Sequence, residues 1–260
     1  MLAQGSFNTG ELDLNFMSGP DGFHPLLLLH GITGRWQDFL PIMPQLVLHH
    51  TVFAIDFRGH GESDRATDGY SFAKYAKDIV AFEKSKLDQP AVLIGHSLGG
   101  AVAVYIAANY PELTRAAVLC DPALFAEALR IPEWSEAFSA WRQIAGEPFE
   151  EICSLQNPQN AFDRRRARDL SKLDPKVLED LNTYWDSFDL EYLLGQISCP
   201  VLLVYGNYQN GGVLTVEQAE DVTSSISSCI SQFMDDVGHA PHRDKPDEFF
   251  RLVSDFLESI

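Results

Sequence analysis

Positive charge is scarce in this 260-residue chain. Its 19 Lys and Arg stand against 37 Asp and Glu, a formal net charge of −18. Binding to a nucleic-acid backbone or to anionic lipid heads needs a basic face, so this balance argues against both kinds of partner. The one basic cluster, Arg164, Arg165, Arg166 and Arg168, sits between Asp163 and Asp169. It reads as a solvated, locally paired helix face. Long apolar runs are lacking too: residues 26–29 and 201–205 are far short of the ~20 needed to span a bilayer. The first residues, MLAQGSFNTGELDLNF, have no basic n-region and no long apolar stretch, so no secretory signal is expected and the protein is expected to be cytoplasmic. Cysteine is sparse. Cys120, Cys153, Cys199 and Cys229 are widely scattered without a Cys-x-x-Cys, which argues against structural zinc and for reduced core thiols.

What remains is an ordinary globular mix, with 45% hydrophobic and 22% charged residues, which excludes wholesale disorder and low-complexity structure. The length admits one large α/β domain with an insertion, or two domains. Short apolar runs bounded by turn residues predict strands over 25–30, 51–56, 91–96, 116–120 and 200–205, with a weaker one over 229–234. Residues 98–109 carry Ala and Val at helical spacing, and 247–260 read as an amphipathic closing helix. Apolar strands alternating with helices imply a mostly parallel central sheet covered on both faces, an α/β architecture. The alternation breaks between about 123 and 194. That stretch is helical, punctuated by Pro132, Pro148, Pro158 and Pro175, and rich in aromatics such as Trp134, Phe138, Trp141, Tyr184, Trp185 and Phe188. It reads as a helical insertion (123–194) in a core made of 1–122 and 195–260.

The sharpest motif is Gly95-His96-Ser97-Leu98-Gly99, a G-x-S-x-G between a predicted strand and a predicted helix. Such a turn is a nucleophile elbow: it strains the serine backbone, lifts the hydroxyl above the sheet and requires small neighbours. The Leu98 N–H, at the start of the helix, faces a developing oxyanion. A second donor is expected from Ile32 in the glycine-rich turn His30-Gly31-Ile32-Thr33-Gly34. A serine needs a base. His239, between the last strand and the last helix, is the expected base, with His242 as the near alternative. His96 reads as structural, and His30 and His60 as residues that line the cleft.

These residues resemble the α/β-hydrolase superfamily, specifically its small capped members. Gly31 after His30, the run Asp56-Phe57-Arg58-Gly59-His60-Gly61-Glu62-Ser63, the Ser97 elbow, Cys199-Pro200 and Gly238-His239 match in order. The resemblance implies that the insertion is a cap, that Ser97 attacks a carbonyl with His239 as base, and that no metal or organic cofactor is used. One position departs from the pattern. The triad acid usually follows the glycine that ends the strand after the cap; here Gly206 is followed by Asn207-Tyr208-Gln209-Asn210, and no carboxylate appears before Glu217. Asp121, directly after the strand that follows the elbow helix, is the best substitute, since some members carry their acid there. Asp235, Asp236, or a serine–histidine dyad steadied by Gln209 or Asn210 are the alternatives.

The expected activity is hydrolysis of a small carboxylic ester or lactone through an acyl-Ser97 intermediate. Amide, thioester or carbon–carbon cleavage, and perhydrolysis, would use the same groups. Epoxide hydrolases and dehalogenases of this family carry Asp where Ser97 stands. A small-molecule receptor with a vestigial triad is the competing class. The aromatic insertion suggests a substrate with an apolar acyl or aryl group.

Overall fold

A computed structural model describes residues 1–129, 131–183 and 189–260; Tyr184, Trp185 and Phe188 lie outside the described residues. Eight described strands form one sheet: β1 (Ala3–Asn8), β2 (Asp13–Ser18), β3 (Pro25–Leu29), β4 (Thr51–Ile55), β5 (Ala91–His96), β6 (Thr114–Cys120), β7 (Val201–Gly206) and β8 (Cys229–Met234). Their spatial order is β1-β2-β4-β3-β5-β6-β7-β8. The pairs β1–β2 and β2–β4 are antiparallel, and every pair from β4 to β8 is parallel. The six parallel strands are those expected from their apolar runs. The antiparallel β1 and β2 were not, because β1 is largely exposed and both are too polar to stand out.

The described helices are α1 (Met43–Leu46), α2 (Phe72–Lys86), α3 (Leu98–Asn109), α4 (Pro132–Arg142), α5 (Phe149–Gln156), α6 (Ala161–Ser171), α7 (Pro175–Thr183), α8 (Glu191–Leu194), α9 (Val216–Ser225), α10 (Pro241–Asp244) and α11 (Pro246–Glu258). Among the described residues none is long and apolar enough to cross a membrane. Residues between β6 and β7 contribute α4 to α8 and, among those described, no strand.

Side-chain alternation divides the core. Leu27, Leu29 and Leu93 pack on one face with Phe82 of α2 and Val102 of α3, whereas Leu26, Leu28, Val92 and Ile94 pack on the other with Met43 and Phe249. Residues 26–29 are therefore four consecutive leucines buried on alternate faces, each contributing roughly 1.5–3 kcal/mol. The strand order reverses at β3: β4 lies on one side of it and β5 on the other. The chain leaves β3 toward Phe39 and Met43 on one face, and leaves β5 into α3 on the opposite face. Two loops that diverge in this way open a crevice at the carboxyl end of the sheet, where ligands of open α/β sheets bind.

On α2, Glu83 is 3% exposed, and neither carboxylate oxygen has a hydrogen-bond partner among the described residues. Burial, reinforced by the charge of Glu112, pushes its carboxyl up to about 8 from an ordinary 4.5. The folded protein thus keeps a proton that the unfolded chain releases, so stability is greatest below about 4.5 and is lost as pH rises through about 8. Glu83→Gln should remove this dependence. Denaturant melts should show near-equal stability for variant and wild type at acid pH, and an advantage to the variant of order a few kcal/mol at pH 9, at about 1.4 kcal/mol per unit. Parallel pH profiles for the two proteins would contradict it.

Candidate active site

Ser97 joins β5 to α3 with φ 52° and ψ −114°, a region that costs a non-glycine residue about 1–3 kcal/mol. Neighbouring backbone holds it there. Its N–H donates to the Cys120 carbonyl at 3.1 Å, and its carbonyl accepts from Ala101 at 3.1 Å and Ala123 at 3.2 Å. The turn also needs close approach. A Cβ on Gly99 would sit on the Leu29 carbonyl oxygen, and one on Gly95 would meet the Gly99 carbonyl. Ser97 lines a cavity of about 640 Å³, which Ile32, Leu98 and His239 also line. The volume suits a small molecule.

His239 is brought to Asp121. Its Nδ1 lies 2.7 Å from Asp121 Oδ2, which also accepts the Val213 N–H at 2.8 Å. Asp121 is fully buried at the end of β6, at φ 42°, and its N–H donates to the Val204 carbonyl at 2.8 Å. Its Oδ1 has no partner among the described residues. A carboxylate only accepts, so the network assigns the proton to Nδ1 and leaves the Nε2 lone pair of the neutral ring available. Among the described residues no hydrogen bond joins Ser97 Oγ to His239; such contacts commonly tighten when substrate binds. Trp134 of α4 meets the His239 ring edge-on at 5.0 Å, so the helical segment reaches His239.

The alternatives for the acid are engaged elsewhere. Asp235 accepts from Asn207 and Asn210, and Asp236 pairs with Lys245 at the surface. Gln209 is exposed on the cavity wall, with its N–H donated to Asn207 Oδ1 at 2.8 Å.

The other histidines separate clearly. His96 is buried, its ring 4.6 Å from those of His239 and His242, and its Nε2 lies 2.7 Å from the His239 carbonyl oxygen. His242 is fully buried with Nδ1 3.5 Å from Cys120 Sγ. Burial holds both imidazoles well below the ordinary value. His30 and His60 are not on the cavity wall, contrary to the expectation from their glycine turns. Both rings turn inward onto Phe57. His30 Nε2 accepts the Phe57 N–H at 3.0 Å, and His60 Nε2 lies 2.7 Å from the Ile32 carbonyl oxygen, bracing the glycine-rich turn.

The arginine run is not one solvated face. Helical periodicity splits it: Arg164 and Arg168 are exposed and lie over the Phe149 ring at 5.7 and 4.2 Å, while Arg165 and Arg166 line the cavity. Arg165 pairs with Asp38 at 3.5 Å and with Asp169 at 4.0 Å. Arg243 of α10 also pairs with Asp38, at 3.2 Å, and Arg35 bonds Asp169. Burial, with the neighbouring charge of Asp38, pushes the Asp169 carboxyl up to about 6. Arg166 lies over Trp141 at 5.2 Å, and burial, then the charge of Arg243, lowers its guanidinium below the ordinary value. Arg35, Asp38 and Arg243 carry no local motif; only the fold gathers them.

A family model described as the alpha/beta hydrolase fold matches residues 24–152. The chain is similar to a pimeloyl-acyl-carrier-protein methyl ester esterase of Neisseria meningitidis serogroup C, 29% identical over 257 residues that cover 94% of this chain and 97% of that protein. It is also similar to a 2-(acetamidomethylene)succinate hydrolase of Mesorhizobium japonicum, 37% identical over 150 residues, 56% of this chain and 51% of the other. The crystal structure of an E-2-(acetamidomethylene)succinate hydrolase shares the fold with a TM-score of 0.80 at 23% identity, covering 99% of this chain and 100% of that one. Sheet order, elbow and relatives agree: the chain has the α/β-hydrolase fold and is similar to esterases and other hydrolases.

Proposed function

We propose that this hydrolase cleaves a small carboxylic ester or lactone through an acyl-Ser97 intermediate. The observation that carries it is the 2.7 Å contact between Asp121 and His239 on the cavity that Ser97 lines. His239 Nε2 takes the Ser97 proton as Oγ attacks the carbonyl carbon. The Ile32 and Leu98 N–H groups stabilise the oxyanion, Leu98 from the unpaired first turn of α3. Collapse of the tetrahedral intermediate breaks the ester C–O bond, and the imidazolium returns its proton to the leaving alcohol. Water, deprotonated by the same Nε2, then releases the acid and restores Ser97. Asp121 keeps the ring in the productive tautomer and stabilises the imidazolium. The activity of the neisserial relative on a methyl ester supports an ester over an amide.

Residues 123–194 serve in this proposal as a cap that excludes water from the crevice. Trp134, Phe138 and Trp141 of α4 supply an apolar wall for the acyl or aryl part of a small-molecule substrate. The net charge of −18 speaks against a nucleic-acid or membrane partner.

Ser97→Ala should fold normally, lose covalent labelling by a fluorophosphonate probe, and lose up to about a millionfold in turnover. Labelling of the variant, or wild-type turnover, would remove Ser97 as nucleophile; a wild-type protein that neither labels nor turns over esters would point to a receptor.

Asp121→Asn should preserve the shape of the site but favour the unproductive tautomer, lowering the rate of acyl-enzyme formation by about 10⁴-fold. Gln209→Ala, Asp235→Asn and Asp236→Asn should each stay close to wild type. A change within about threefold for Asp121→Asn would leave Asp121 as a turn residue only, judged against the 10⁴-fold expectation. Trp141→Ala should change relative rates across a series of aryl esters of increasing acyl length. Uniform loss with unfolding, seen by circular dichroism, would make Trp141 purely structural.

A further inference from the structure

Ser97 and His239 line one cavity but come from distant strands. Ser97 follows β5, whereas the loop that carries His239 follows β8, three strands away in the order β5-β6-β7-β8. At about 4.8 Å between neighbouring strands, that loop must lean back by about 14 Å over the ends of β7 and β6. Its fixed points lie on either side of the histidine. The Val237 carbonyl accepts the Asn207 N–H at 2.7 Å, and the Ala240 carbonyl accepts the Arg243 and Asp244 N–H groups of α10 at 2.9 and 3.0 Å. Between these points, among the described residues, the main chain of Gly238 and His239 makes one hydrogen bond: the His239 carbonyl accepts from His96 Nε2 at 2.7 Å.

The state of the His96 ring follows from its partners. A carbonyl oxygen only accepts, so Nε2 carries the proton. Nδ1 has no partner among the described residues. It lies against the turn after β3: a Cβ on Gly31 would come within 2.9 Å of it, and 3.4 Å from Ser97 Cβ. The ring is 3% exposed, and burial, then the neighbouring His242 and His239, holds it well below the ordinary imidazole value. A neutral ring adds no positive charge 4.6 Å from His239 when that base becomes an imidazolium. His96 thus meets three parts of the site. It directly precedes Ser97, it fills the space that Gly31 leaves in the turn carrying Ile32, and it holds the His239 main chain.

We infer that His96 is a positioning residue of the reaction: the hydrogen bond from its Nε2–H to the His239 carbonyl fixes the backbone that carries the base, and so sets where His239 Nε2 stands relative to Ser97. The inference rests on the reading of Ser97, His239 and Asp121 as the triad. His239 is then placed by two bonds of different kind. Asp121 orients the ring through Nδ1, and His96 anchors the main chain from the opposite end of the residue. His96 itself exchanges no proton during turnover. Without its N–H, the carbonyl loses its partner and the loop is free to shift, and a displacement of about 1 Å at a reacting group can cost about 10²-fold in rate.

Three variants of the whole protein test this. His96→Gln carries an amide N–H that can stand where Nε2–H stands, His96→Leu keeps an apolar volume without a donor, and the amide of His96→Asn ends short of the carbonyl. With an aryl ester, His96→Leu and His96→Asn should lower kcat by about tenfold to a hundredfold with KM little changed, and His96→Gln should recover most of the loss. Should His96→Leu fail to fold, His96→Asn carries the comparison. Proton NMR supplies a second readout, the Nδ1–H resonance of His239, identified by its disappearance in Asp121→Asn. It should persist in His96→Gln and broaden or vanish in the other two variants. Wild-type kcat and an intact resonance in His96→Leu and His96→Asn would overturn the inference. Equal losses in all three variants, following their thermal midpoints, would also overturn it and leave His96 as packing alone. If the wild-type protein neither labels with a fluorophosphonate nor turns over esters, the hydrolase reading fails, and the resonance alone decides the placement of His239: its loss in His96→Leu and retention in His96→Gln support the anchor, and its retention in both overturns it.

Discussion

The site depends on the backbone at Ser97, held at φ 52° between β5 and α3. An isolated serine would relax out of that region. It cannot here, because its N–H and carbonyl are bonded to the ends of β6 and to the segment after Asp121, and because α3 starts against the Leu29 carbonyl at a distance only Gly99 permits. The same packing lays α3 on one face of the sheet while the chain leaving β3 crosses to the other. The crevice at their divergence is the place where a hydroxyl, a ring of N–H groups and a ligand can meet. Stability invested in the four leucines of β3 thus supports a local strain that the site requires.

Around that turn, polar groups are sorted by burial. Asp121 is fully buried and shared between a ring nitrogen and a backbone N–H, whereas Gln209, one strand over, is exposed. A carboxylate at the end of β6 reaches the histidine loop because β7 and β8 lie beside it in register and return the chain to the same edge of the sheet. The His96 ring packs at a tilt against both His239 and His242, burial keeps His96 and His242 neutral, and His96 braces the His239 backbone. Of the three, His96 and His239 line the cavity, and among the described residues only His239 bonds a carboxylate.

Charge is distributed against the average. A strongly acidic chain places cations where its surface composition gives no hint of them, at a wall made from α6, α10 and the turn after β3. Asp38 and Asp169 connect these three elements through their arginine partners, tying the helical segment between β6 and β7 to the sheet on which Ser97 sits. Attachment of that segment therefore uses charged side chains that also line the cavity.

Much of this was legible in the residues alone. The six parallel strands, the helix after Ser97 and the elbow follow from local pattern, because a buried strand is a short apolar run and a strained turn demands glycine at fixed offsets. Asp121 could be named beforehand because the usual position holds an amide and the next strand end holds an acid, but only the folded sheet brings it within 2.7 Å of His239. The antiparallel β1 and β2 escaped notice because β1 is an exposed edge strand, and the buried Leu14 and Phe16 of β2 are interleaved with Asp13, Asn15 and Ser18 and so form no apolar run. The inward turn of His30 and His60 depended on which side of a glycine turn the rings pack, and the split of the arginine run on which face of α6 meets the cavity. Those outcomes are set by contacts between residues far apart in the chain, such as Arg35 with Asp169 and Arg243 with Asp38. Sequence determines periodicity and turn chemistry locally; which side chains of distant segments share a cavity is decided by tertiary packing, where burial and charge pairing are balanced together.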